Sequence, residues 1–113
     1  MPHAISDEVR YRLLKQLADD PEATQRDLAR SLGVSLGKVN YCLRALIAKG
    51  LVKARSFRNS DRKLAYAYVL TPHGLEEKLN ATRAFLRVKM EEYDTVSAQI
   101  RELVTELEVA ERN

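Results

Sequence analysis

Residues 24–63 read TQRDLARSLGVSLGKVNYCLRALIAKGLVKARSFRNSDRK, and this stretch decides the fold. Thr24 with Asp27 three residues on is close to a capping box, so a helix is expected to open there with Leu28, Ala29 and Leu32 on one face. Gly33 and Val34 make a tight turn. Ser35 is a second cap, and behind it Val39, Leu43, Leu46 and Ile47 recur at the helical period until Gly50 stops the helix. Leu51-Val52-Lys53 begins a strand directly after that stop. The run Phe57-Arg58-Asn59-Ser60-Asp61-Arg62-Lys63 is polar and turn-prone, and Leu64, Tyr66, Tyr68 and Leu70 then alternate with Ala65, Ala67 and Val69. The second half of the stretch is therefore a two-stranded hairpin with a basic tip.

Helix, tight turn, helix and basic hairpin, in that order, are the parts of a winged helix-turn-helix. Upstream, Ser6 caps a helix of about 13 residues, with Asp7 and Glu8 at its positive end and Val9, Leu13, Leu14 and Leu17 as its apolar stripe. Asp20-Pro21 ends it. Downstream, Thr71-Pro72 is a cap followed by proline at the first helical position, and the only later glycine is Gly74. One helix from about residue 73 to 111 would be about 58 Å long at the usual rise per residue. A single small domain does not cover that length. Leu79, Leu86, Tyr93, Ile100 and Leu107 recur at every seventh position, and Val96, Leu103 and Ala110 fill the alternate seam, where Thr82 and Lys89 stand earlier. Self-association is expected through Leu86, Tyr93, Val96, Ile100, Leu103 and Leu107, with Leu75, Leu79, Phe85, Leu86 and Met90 nearer the wing packing on the body or on the partner's body. The pattern leaves parallel and antiparallel pairing open. The fold class is mainly α with a small β-hairpin wing (α+β): residues 1–72 form the winged helix-turn-helix and residues 73–113 the long dimerisation helix.

At 113 residues the chain holds one compact domain with an appendage. It has no apolar run of membrane-spanning length and no signal-peptide pattern at Met1-Pro-His-Ala-Ile, so a soluble, cytoplasmic protein is expected. Cys42 is the single cysteine, which excludes an internal disulfide framework and a multi-cysteine zinc site. His3 and His73 are too few to rebuild a metal centre, and no cofactor is expected. The net charge of +3 is unevenly spread: residues 1–70 carry 13 Lys/Arg against 7 Asp/Glu, and residues 71–113 carry 6 against 9. Residues 35–63 alone hold eight basic side chains and one acidic, so the positive field coincides with the second helix and the wing.

With Val39 and Leu43 turned inward, Gly37, Lys38, Tyr41 and Arg44 fall on the opposite side of the second helix, with Asn40 at the flank. Arg and Lys donate to guanine O6 and N7, Asn bonds bidentately to adenine, and Tyr reaches a phosphate or a thymine methyl. Gly37 allows close backbone approach. Ser35 and the first amides of the helix would hold a phosphate, Gln25 and Arg26 would clamp another, and Arg58, Asn59, Arg62 and Lys63 would reach the adjacent minor groove or its phosphates. Two symmetric copies imply an inverted-repeat site with half-sites about 10 bp apart or a multiple of that.

The run from Ser35 to Val52, with Gly-Lys-Val-Asn-Tyr at its start, and the run Tyr66-Ala-Tyr-Val-Leu-Thr-Pro-His-Gly-Leu-Glu-Glu-Lys resemble the MarR-type winged-helix regulators, specifically the small group associated with exopolysaccharide (EPS) gene clusters. The resemblance extends from about Val9 to Glu106 and implies a dimeric bacterial transcription factor acting on polysaccharide biosynthesis genes. Typical MarR proteins are longer and hold a ligand pocket between dimer and DNA-binding regions. Here the N-terminal lead is about five residues and one helix replaces the usual C-terminal pair, so a small-molecule effector is not expected. Cys42 lies on the inner flank of the second helix and reads as a buried structural thiol, not a sensor. An enzyme is not expected: no catalytic triad, phosphate loop or metal-ligand spacing is present, and Glu76-Glu77 and Glu91-Glu92 read as solvated carboxylates. The rival is a winged helix used as a protein-docking module through its coiled coil, which would have no need of eight basic residues in 35–63.

Overall fold

The computed structural model describes residues 5–113; His3 and the rest of residues 1–4 lie outside the described residues. Four helices and one hairpin follow in the order α1 (Asp7–Asp19), α2 (Gln25–Leu32), α3 (Leu36–Ala48), β1 (Val52–Arg58), β2 (Leu64–Leu70) and α4 (Pro72–Arg112). Each helix starts where a side chain takes up an orphan amide. Ser6, Ser35 and Thr71 accept from the amides of Val9, Lys38 and Gly74, and at α2 the capping box is complete: Thr24 accepts from the Asp27 amide and Asp27 accepts from the Thr24 amide. Those two hydrogen bonds hold the Asp27 carboxyl below its ordinary pKa. Gly33 at φ 69° and Gly50 at φ 74° end α2 and follow α3 in left-handed conformations that a side chain would oppose.

The core is formed where α1, α2, α3 and the base of the hairpin converge. Leu13, Leu17, Leu28, Leu32, Val39, Leu43, Val52 and Tyr68 are buried together, with Cys42 among them. The expected stripe on α3 is narrower than its periodicity suggested: Val39, Cys42 and Leu43 face inward, Leu46 is half-buried and Ile47 is exposed. The hairpin is antiparallel from Val52 opposite Leu70 to Arg58 opposite Leu64. Its alternation buries side chains only at the base. Tyr68 is buried while Tyr66 and Leu64 are exposed, because the outer half of the hairpin projects beyond the body. The Tyr68 amide also donates to the carbonyl of Pro21, which ties β2 to the α1–α2 connection.

α4 is anchored at its first turns. Thr71 donates from its amide to Leu51 O and from its hydroxyl to Gly50 O, so the chain leaving the hairpin is fastened to the end of α3. Gly74 is required there. A Cβ at this position would sit 2.0 Å from the carbonyl oxygen of Leu51, which no side chain tolerates. One face of α4 then runs along α1: Ala81 is fully buried, Glu77 pairs with Arg10 at 3.2 Å, and the Phe85 ring stacks on Tyr11 at 5.1 Å. Of the residues expected to pack on the body or on the partner's body, Phe85 meets the body of its own chain. Leu75, Leu79, Leu86 and Met90 are each more than half exposed, because they lie on a different face of the helix from Gly74, Ala81 and Phe85. Beyond Val88, α4 leaves the body altogether, giving a molecule 73 Å long and under 30 Å across. No helix among the described residues is long and apolar enough to cross a membrane.

Candidate nucleic-acid interface

The turn at Gly33-Val34-Ser35 swings α3 across α2 and leaves one long side of α3 uncovered. Leu36, Gly37, Tyr41, Arg44, Ile47 and Ala48 are exposed on that side, with Lys38 and Asn40 half-buried at its margins. Arg44 and Gly37 lie in the open as expected from the inward placement of Val39 and Leu43. A Cβ on Gly37 would meet nothing within 4 Å, so the fold itself does not demand glycine at this helical position. Tyr41 stands at the edge of the face, where it borders a cavity of about 280 Å³ between α1, α3 and the start of α4. Ser35 is committed through its hydroxyl to the Lys38 amide, which places the first amides of α3 at the head of this surface.

Gln25 and Asn40 are less independent than the sequence suggested. The Gln25 amide donates to the Tyr68 hydroxyl at 3.0 Å, and its carbonyl oxygen accepts from Asn40 at 3.3 Å. This chain of hydrogen bonds joins the start of α2, the flank of α3 and the base of the wing, and it gives the buried Tyr68 ring a partner for its polar end. Arg26, the other residue at the start of α2, is exposed. The Tyr68 link went unread in the sequence because it joins residues 43 positions apart.

At the wing tip, Arg58, Arg62 and Lys63 are exposed, but Asn59 is a turn residue. Its side-chain oxygen accepts from the amides of Asp61 and Lys63, its own amide donates to Lys63 O, and Arg62 takes a left-handed φ of 60°. Arg58 donates to the Arg62 carbonyl at 3.2 Å, which holds the Arg58 guanidinium against the turn. Lys53 and Arg55 are also exposed along β1. Cys42 is buried behind the face, and desolvation raises its thiol pKa against the smaller opposing effect of Lys38. Among the described residues, no three His, Cys, Asp or Glu side chains are grouped to hold a metal ion.

Residues 6–53 match a family model described as winged helix-turn-helix DNA-binding. The chain carries a winged helix-turn-helix. That match takes in α1, the capping box, the turn, α3 and the first residues of β1, and the hairpin supplies the wing. A PadR-like transcriptional regulator from Bacillus cereus is similar in fold, with 17% identity and a TM-score of 0.69 over 78% of this chain and 90% of that one. The transcriptional regulator BldR from Sulfolobus solfataricus is 26% identical at a TM-score of 0.60, over 74% of this chain and 58% of BldR. The zinc-dependent MarR family regulator AdcR, in its Zn(II)-bound state, is 21% identical at a TM-score of 0.58 over 97% of this chain and 77% of that chain. The neighbours of this winged helix-turn-helix are thus MarR and PadR transcriptional regulators. No curated protein matches the sequence.

Proposed function

We propose that this protein is a cytoplasmic transcriptional regulator of the MarR and PadR type, binding duplex DNA in a sequence-specific way as a homodimer on an inverted-repeat operator. The observation that carries the reading is the coincidence of exposure and charge: Arg44 on the uncovered side of α3 and Arg58, Arg62 and Lys63 at the wing tip are all exposed, with Lys38 half-buried at the margin of α3. Arg44 and Lys38 would read base edges in the major groove, with Asn40 and Tyr41 at its margins. The Tyr68–Gln25–Asn40 hydrogen bonds would fix the angle between α3 and the wing, so Gln25 acts on DNA mainly by positioning. Arg26, Ser35 and the wing cations would hold phosphates, with Asn59 shaping the turn that presents them. Gly37 would bring the α3 backbone close to the duplex. The resemblance of residues 35–52 and 66–78 to the EPS-associated group supports exopolysaccharide genes as targets.

Selection of binding sites from a random duplex pool, followed by fluorescence-anisotropy titration of the winner at two salt concentrations, tests the proposal. The selected site is expected to be an inverted repeat, with affinity falling steeply between about 50 and 200 mM salt as counterions are released. Absent or salt-independent binding would overturn it.

A further inference from the structure

The unpaired length of α4 carries a second apolar face, separate from the one that meets α1. Leu79, Leu86, Tyr93, Ile100 and Leu107 are each more than half exposed at seven-residue spacing, and Val96 and Leu103 lie exposed on the adjoining seam. Charge along the helix is polarised. Residues 72–90 hold four Lys/Arg and two Asp/Glu, whereas residues 91–113 hold two and seven.

We propose that α4 pairs antiparallel with α4 of a second copy, centred between Asp94 and Thr95, so that Lys78 and Arg83 of each chain face the partner's Glu106 and the partner's Glu111. The inference rests on the homodimer reading and adds its orientation. A parallel, in-register pair would set identical positions against each other: Lys89 would meet Lys89 in the seam, and the flanking positions would bring Lys78 to Arg83 and Glu106 to Glu111. Every one of those contacts is like-charged. Reversing one helix puts each residue of one seam opposite the other seam. Leu86 then meets Leu103, Tyr93 meets Val96, and Lys78 and Arg83 at the start of the helix lie beside the acidic end of the partner.

The same register accounts for two side chains that the seam alone does not. Met90 falls opposite Val104, both exposed and apolar, on the flank of the seam. Glu92 falls opposite its own copy at the centre, and there Lys89 of the same chain already pairs with it at 3.1 Å, neutralising what would be a like-charged contact. The paired layers run from Leu79 to Ala110, about 47 Å of helix, and place the two helix-turn-helix heads at opposite ends of the rod.

A nitroxide label on Arg112→Cys of the full chain reads the orientation directly; Cys42 is buried, and the unmutated chain controls for its labelling. Antiparallel pairing predicts an inter-label distance of roughly 50 Å, and a distance under about 20 Å would overturn the orientation while leaving the homodimer standing. A chain that sediments as a monomer at tens of micromolar would overturn both. Lys78→Glu gives an independent sign: the dimer constant should weaken roughly fivefold and recover with Glu106→Lys added, because two flanking pairs change from attraction to repulsion. A tighter dimer for Lys78→Glu is the parallel outcome, since Glu at 78 would then face Arg83, and it would overturn the proposal.

Discussion

The two ends of this molecule use apolar residues in opposite ways. In the head, Leu13, Leu17, Leu28 and Leu43 are at most 2% exposed, each helix having spent its apolar stripe on the others. In the tail, Tyr93, Ile100 and Leu107 recur just as regularly and are 73%, 55% and 61% exposed. Periodicity is the same signal in both places. What differs is reach: α1 to α3 are short and joined by tight turns that fold them onto one another, whereas α4 extends past the last surface its own chain offers. An apolar stripe therefore reports that something is covered, and the length of the element decides whether the same chain can cover it.

The comparison can be broken at its strongest point. Leu28→Ala in the head should cost about 3 to 4 kcal/mol of unfolding free energy, seen by chemical denaturation, through the cavity left in a filled core. Leu103→Ala in the tail should leave the unfolding of the dilute monomer unchanged and act only on association. Equal losses at both sites would mean that the tail stripe is covered within one chain. At the joint between the two regions, Gly74→Ala should cost about 2 to 3 kcal/mol, because its methyl group would drive α4 away from the Leu51 carbonyl.

Within the head, the DNA face should separate from the core by which property each variant changes. Arg44→Ala should weaken binding to the selected site by about 1 to 3 kcal/mol with thermal stability unchanged, whereas Lys63→Ala should weaken all duplexes alike and lower the salt slope by about 1. Gly37→Ala should stabilise the fold by up to about 1 kcal/mol, since alanine favours the helix and its methyl group meets no neighbour, while reducing DNA affinity. Improved stability with unaltered DNA binding would remove Gly37 from the interface. The smallest expected effect is on pH. Asp27 has a lowered pKa in the folded state, so its contribution is present above the ordinary carboxylate range and is lost as pH falls through the depressed value. The acid limb of a thermal-melting profile should shrink in Asp27→Asn, in which that group no longer titrates.

Much of this architecture was legible because its signals are local. A cap three residues from its partner, a glycine at a helix end and a proline at a helix start act within one turn, and Thr24, Ser35, Gly50 and Thr71-Pro72 stand where the structure has those boundaries. The basic stretch from Lys38 to Lys63 was equally plain, and its cationic side chains are exposed apart from the half-buried Lys38. What escaped was long-range. The hydroxyl of Tyr68 holding Gln25, the Gln25 carbonyl holding Asn40, and Arg12 and Gln16 of α1 reaching Ser31 of α2 all join residues at least 15 positions apart. Which residues of α4 meet the chain's own body was hidden for the same reason. Leu75 and Leu79 look like core residues by type, and only the placement of α1 shows that Gly74, Glu77, Ala81 and Phe85 are the residues that meet the body.

By itself, then, the sequence determined the kinds and limits of the elements and the sign of their charge, because helix caps, turn residues and periodicity are properties of neighbouring residues. Tertiary structure decided which faces those elements spend on each other. It turned Gln25 into a link between α2, α3 and the wing, made Gly74 indispensable by setting it against the Leu51 carbonyl, and left the outer stripe of α4 uncovered. Burial and hydrogen bonding between distant residues depend on where whole elements dock, and that is settled only when the core between them is filled.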